Sequence, residues 1–265
     1  MIRRRWAIAG LTVLASLTLA TTACQTKGSP GGGGGAQTKS AQQILTDAAA
    51  KTKGQSFKFT LSYGTLLTGD GAQDGSGSNA SVNMTVAEPT SGITIKVNAL
   101  VLASDMYMKM DFGALGSAIP GLGDIGDKWM HLDATKVSGS ALSLGLKPGE
   151  DSLGAENYIK GVVTAEKVSD TEIKGTLDLT KSAPPGTDEE ALKALGDSAK
   201  NVPFNATLDS EGRLSKIVIH MPKVGEFPAS DLTTTYSDYG AAVNLQKPAA
   251  AETVEAPAMI YQFFQ

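Results

Sequence analysis

One cysteine and two histidines are the whole supply of soft metal ligands and imidazole bases in this 265-residue chain. Zinc chemistry needs several Cys or His at short spacing, and His131 and His220 lie far apart in sequence with nothing to pair them. Each reads as a packed or surface residue of a strand. No G-x-S-x-G elbow supports Ser-His-Asp catalysis. The segment Gly121-Leu122-Gly123-Asp124-Ile125-Gly126 has dinucleotide-loop spacing. That chemistry requires a strand before the loop and a helix after it, to present N–H groups to a pyrophosphate. Here Pro120 precedes and the strand-like KWMHLD follows, so the match is false. In Asp70–Ser81 a glycine falls at the sixth position of a calcium loop, but Ala72 and Ser81 stand where the third and twelfth ligands belong. Asp188, Glu189 and Glu190 open a helix, where acids suit the dipole without any catalytic role. The expectation is a non-enzymatic chain with no catalytic residues, metal or cofactor.

Cys24 is the position with chemistry of its own. Arg3, Arg4 and Arg5 precede an apolar run from Trp6 to Ala20, and Thr21-Thr22-Ala23 leads into the cysteine. A basic start, a short apolar region and small residues are the layout of a secretory signal. The run is short and interrupted for a spanning helix of about 20 residues. The junction resembles a bacterial lipobox, whose cysteine is lipidated and becomes the mature N-terminus, although Thr21 stands where a branched aliphatic residue is usual. Residues 1–23 are thus expected to be a signal peptide. Residues 24–39 follow as a lipidated Cys24 and a Gly-rich linker, including the Gly31–Gly35 run. Such a linker is a flexible coil, and several acyl chains on one residue anchor durably, at about 0.8 kcal/mol per buried CH₂. The expected location is the cell membrane, lipid-anchored on its extracytoplasmic face.

Loss of residues 1–23 removes three arginines and no acid, which takes the formal charge from −4 to −7. A mildly acidic domain without a basic cluster is a poor nucleic-acid binder. With its single cysteine in the anchor, the chain has no internal disulfide, and a hydrophobic core must hold one domain over residues 40–248, followed by a tail at 249–265. A monomer is expected.

The elements follow from periodicity. Ser40 caps a helix in which Ile44, Leu45, Ala48 and Ala49 share a face, and Gly54 stops it. Phe57, Phe59, Leu61 and Tyr63 alternate with polar residues as a half-buried strand. LTGDGAQDGSGSN reads as a turn or loop. Alternation resumes through Val82, Met84 and Val86, then Ile93, Ile95, Val97 and Ala99, then Met106, Met108 and Met110. KWMHLD is a short strand and Ala155–Gly161 a helical turn. Strands are expected over Val162–Val168 and Ile173–Leu179, and a helix over Asp188–Lys200. A hairpin across DSEGR joins Phe204–Leu208 to Leu214–Met221, and Leu232–Tyr236 is one more strand. The fold class is α+β, an antiparallel sheet with one face on a core.

The order of lipobox, linker, opening helix and meandering strands carries MYMKMDF, KWMHLD, ATLDSEGRLSKIVI and TTTYSDYGAAVNLQKP. It resembles the actinobacterial lipoproteins of the LppX/LprG type, related in fold to the periplasmic carrier LolA. The resemblance covers most of residues 40–250 and rests on pattern and short phrases. It implies a strongly curved antiparallel half-barrel with helices packed across its concave side and an apolar cavity for acyl chains. It also implies a lipid or glycolipid partner, and no catalytic residues to carry over.

The residues themselves name the cavity-lining candidates: Phe57, Phe59, Leu61, Met84, Ile93, Ile95, Val97, Met106, Met108 and Met110. Methionine adapts to irregular apolar shapes. The competing reading is a filled core, in which case the chain is an accessory or adhesion lipoprotein without a lipid ligand. The glycine-rich loop Gly113–Asp127 carries Leu115, Ile119, Leu122 and Ile125, which form either a mobile apolar flap or pins that fix the loop. The apolar tail MIYQFFQ is expected to tuck into a groove or pair as an edge strand.

Overall fold

The computed structural model describes residues 39–88, 92–113, 116, 125–133, 137, 154–184, 189–223 and 228–262. Residues from Lys39 onward form one compact unit. It is an α+β unit built on a single open sheet of 12 strands. Cys24, and with it the expected signal peptide and most of the linker, lies outside the described residues.

Helix α1 (Ala41–Thr52) begins as its sequence requires. The Ser40 side chain accepts from the Gln43 N–H, and the Gln43 side chain accepts from the Ser40 N–H, a capping box that satisfies two end groups. Strands β1 (Phe57–Tyr63), β2 (Leu67–Gln73), β3 (Asn79–Glu88), β4 (Ile93–Leu102), β5 (Asp105–Asp111) and β6 (Trp129–Asp133) follow as an antiparallel meander. The expected loop at LTGDGAQDGSGSN is corrected here, because Leu67–Gln73 is strand β2 in full register with β1. Glycine weakens a strand by its entropy, but at Gly71 nothing larger fits. A Cβ there would collide with the Ser81 carbonyl oxygen and come within 2.6 Å of the Phe59 ring. The Phe59 ring covers the notch.

The second half contains α2 (Ala155–Lys160), β7 (Val162–Lys167), β8 (Glu172–Leu177), α3 (Glu189–Leu195) with a 3₁₀ turn after it, β9 (Val202–Leu208), β10 (Leu214–Met221) and β11 (Ser230–Ser237). Strand β11 pairs with β1 and joins the two halves. The chain ends in β12 (Thr253–Glu255), which pairs parallel to β6, and α4 (Ala258–Gln262). The sheet order is β12-β6-β5-β4-β3-β2-β1-β11-β10-β9-β8-β7. The tail therefore supplies an edge strand, but over Thr253–Glu255, whereas Ala258–Gln262 is helical and buries Ile260.

Directly opposed residues in antiparallel strands share a face, so the register defines the layers. Tyr236, Phe59, Gly71, Val82, Ala99, Met108 and Met130 make one row across the sheet. Thr234, Leu61, Gly69, Met84, Val97 and Met110 make the next. This apolar face joins Ala41, Leu45 and Ala48 of α1, Tyr158 of α2 and Ile260 of α4 in one core cluster. Helix α1 lies against α2, β7 and β10. The opposite face is mostly polar: Thr60, Asp70, Asn83, Asn98 and Lys109 form one of its rows.

Candidate functional site

All ten cavity-lining candidates fall on the core face, but not at one depth. Phe57, Phe59, Leu61, Met84, Met106 and Met108 are buried, Met106 and Met108 with no exposed surface. Ile93, Ile95, Val97 and Met110 are only half-buried. The gradient runs along the strands. The row Phe57–Gln73–Ala80–Val101–Met106–Leu132 is closed, whereas in the row Tyr63–Leu67–Val86–Ile95 each residue keeps exposed surface, 38% at Val86. The strands thus carry an apolar surface from the protein interior out to solvent at one corner.

At that corner a solvent-open depression of about 250 Å³ lies between Met110, Phe112, Ile125 and Met130, with Asp111, Gly113 and Asp127 at its lip. The loop after β5 and the turn before β6 build it. The Asp111 carboxylate accepts from the Gly113 N–H at 2.8 Å and so tightens the start of the loop. Lys109 faces Asp127 at 3.8 Å, a solvent-screened pair of small worth. Of the four flap candidates, Ile125 is here, half-buried and packed on the core. Leu115, Ile119 and Leu122 lie outside the described residues. Phe112 is a lining residue that the strand alternation did not single out, because it sits one position beyond β5.

A polar contact interrupts the core face on β11, across the sheet from this corner. Thr234, in the Leu61 row, lies within 3.2 Å of the Tyr158 hydroxyl, both groups buried. Burial pushes the Tyr158 phenol up, and the Thr234 hydroxyl partly offsets it. The pair satisfies two hydroxyls that would each cost free energy alone and ties α2 to β11 above the sheet.

The two histidines stay apart, His131 on β6 and His220 on β10. His220 Nδ1 lies 2.7 Å from Asp231. His131 has a carboxylate on each ring nitrogen: Asp105 at 3.0 Å from Nε2 and Glu255 at 3.1 Å from Nδ1. The hydrogen bond to Asp105, then that to Glu255, raise the imidazole pKa above 6.5, against a smaller opposing effect of burial. Sequence reading missed this cluster. Asp105 is legible as a neighbour of His131 once β5 and β6 are paired, but Glu255 arrives by a parallel pairing with no local signal.

Among the described residues, no three His, Cys, Asp or Glu side chains are grouped to hold a metal ion. No described helix is long and apolar enough to cross a membrane. No protein-family model matches the chain, and no curated protein matches it.

Proposed function

We propose that this chain is a lipoprotein anchored through Cys24 on the extracytoplasmic face of a membrane, and that its domain binds a lipid or another amphipathic ligand non-catalytically. In this reading the sheet is strongly curved and α1 and α2 lie across its concave side. The observation that carries it is the burial gradient on one continuous apolar face, from Met106 and Met108 with no exposed surface to Val86 at 38% and the depression at Met110.

Magnitude limits what binds where. Pockets for whole small molecules run to about 300–1,000 Å³, so a depression of about 250 Å³ accepts the end of an acyl chain. The remainder lies along Ile95, Val86 and Leu67. Each Å² of apolar surface removed from water contributes about 25 cal/mol. Transport or envelope assembly is the use this arrangement suits.

The test is native mass spectrometry of the domain from Lys39 onward, produced in a lipid-containing host. Discrete adducts of lipid mass, lost on denaturation, are the expected result. A second reading is favoured by the complete burial of Met106, Met108 and Leu132: an accessory or adhesion lipoprotein whose core is filled. A clean mass, together with no uptake of a fluorescent lipid, would establish that reading instead.

A further inference from the structure

Strand β12 reaches its place by an unusual route. Between β11 and β12 in the sheet lie β1 to β6, about 34 Å of strand spacing from end to end. Residues 238–252 span it as a strap that opens on a turn at 239–240 and ends in a 3₁₀ turn over Ala250–Glu252; fully extended, 15 residues reach about 50 Å. The strap runs over the polar face, where the Lys247 ammonium lies 5.4 Å from the centre of the Tyr107 ring. Thr253–Glu255 then pairs with β6, and the chain turns so that Ile260 enters the core cluster. The Tyr261 hydroxyl accepts from the Asp133 N–H at 2.9 Å. A strap, a three-residue parallel strand and one turn of helix close an edge of the sheet, held by Ile260 in the core, by half-buried Val254, Ala256 and Tyr261 packed against it, and by a few polar contacts.

The strongest of those polar contacts are at His131. Neutral imidazole has one N–H donor and one lone pair. Carboxylates only accept, so a ring with a carboxylate on both nitrogens is satisfied only as imidazolium. In the neutral form one of the two bonds becomes a lone pair facing a carboxylate oxygen. Asp105 belongs to β5 and Glu255 to the edge strand β12 that follows the strap, so the proton on His131 joins the two. The charged or titratable groups nearest it on this face are Tyr107, stacked on His131 at 5.0 Å between ring centroids, Asp133 opposite Asp105 in register, and Lys247, with Lys109, Asp111 and Lys96 farther along β5 and β4. Histidine is the side chain whose ordinary charge change falls between about pH 5 and pH 8.

We propose that Asp105, His131 and Glu255 form a proton-dependent clasp that holds the C-terminal strap on the β6 edge when His131 is charged and loosens it when His131 is neutral. The sign follows from the raised pKa: the clasp is fully engaged below pH 6.5 and is lost as pH rises through the higher folded-state value. Release frees the β6 edge and withdraws Ile260 from the core. The clasp stands apart from the ligand reading and holds with or without a lipid.

The test is hydrogen exchange of the full-length protein, corrected for intrinsic pH dependence, at about pH 5.5 and about pH 8. The reporter is the Ala256 amide, which donates to the His131 carbonyl at 2.9 Å, with the Ile260 amide as a second. Exchange at both is expected to rise about three- to tenfold across this range, while amides of β10 stay constant. In His131→Gln the reporters are expected to exchange fast at both pH values. Glu255→Gln, at a side chain 83% exposed and harmless to folding, should remove most of the pH dependence and leave β10 unchanged. A flat wild-type profile would overturn the clasp, as would a pH dependence of wild-type size in either variant.

Discussion

At Asp209 one carboxylate sets a whole turn. It accepts from the Glu211 N–H at 2.9 Å and the Arg213 N–H at 2.8 Å through one oxygen, and from Arg213 Nε at 2.7 Å through the other. Partial burial works against the charged form, but the Arg213 backbone and guanidinium donors and the Glu211 N–H outweigh it, so the carboxyl is held below 3.8. A depressed carboxylate contributes stability above its unfolded pKa, and that contribution disappears as pH falls through the folded value. Asp209→Ala is expected to cost roughly 1–3 kcal/mol at neutral pH, as several accepted hydrogen bonds are lost. Urea titrations at about pH 6 and about pH 3 check the sign, because the gap between variant and wild type should narrow in acid. An equal gap at both pH values would show that the charge is not what holds the turn. The motif DSEGR is visible in the sequence as a hairpin turn, and its position was legible because Asp and Gly have fixed local roles there. The partners of His131 were not legible, since Glu255 meets it only through the path of the strap.

At the scale of elements, local pattern succeeded wherever apolar and polar residues alternate, as in β1, β3, β4 and β5, and wherever a cap is spelled out, as at Ser40. It failed at β2, where Gly69, Gly71 and Ala72 leave no alternation to read. The reason is tertiary: the inward positions of β2 face Leu61 and Phe59 on one side and Met84 and Val82 on the other, and the large neighbours fill the space. Strand β2 therefore follows from its neighbours' side chains rather than its own. Gly71→Val tests this against intrinsic propensity, by which valine favours a strand. The close approach of the Ser81 carbonyl and the Phe59 ring predicts the reverse, a loss of about 1–3 kcal/mol from overpacking. Thermal unfolding of the variant decides, and a raised Tm would mean that the Phe59 ring swings aside without cost. Gly175 in β8 sits under Phe204 in the same way, with that ring 2.8 Å from a would-be Cβ. The same device thus recurs in the second half of the sheet.

Across the whole molecule, depth along the strands separates residues that hold the fold from residues available to a ligand. Met108 and Met110 are two positions apart on one strand and point to the same face, yet Met108 is fully buried and Met110 borders the open depression. Composition treats them alike, and so did the alternation, because strand periodicity reports the face and not the distance from the mouth. Met108→Ala is expected to cost about 2–5 kcal/mol, the loss of buried contacts plus the cavity left behind. Met110→Glu should be nearly neutral for stability, since its side chain already reaches solvent, and Ile95→Glu likewise. Under the lipid-binding reading those two changes place a charge on the entry strip, where its desolvation opposes an acyl chain, so fluorescent-lipid uptake should drop at least tenfold. Measuring unfolding and uptake on all three variants separates the alternatives. If Met110→Glu and Ile95→Glu keep full uptake while Met108→Ala loses it, the ligand enters elsewhere on the core face. If no variant changes uptake beyond its effect on stability, the apolar strip serves the fold alone.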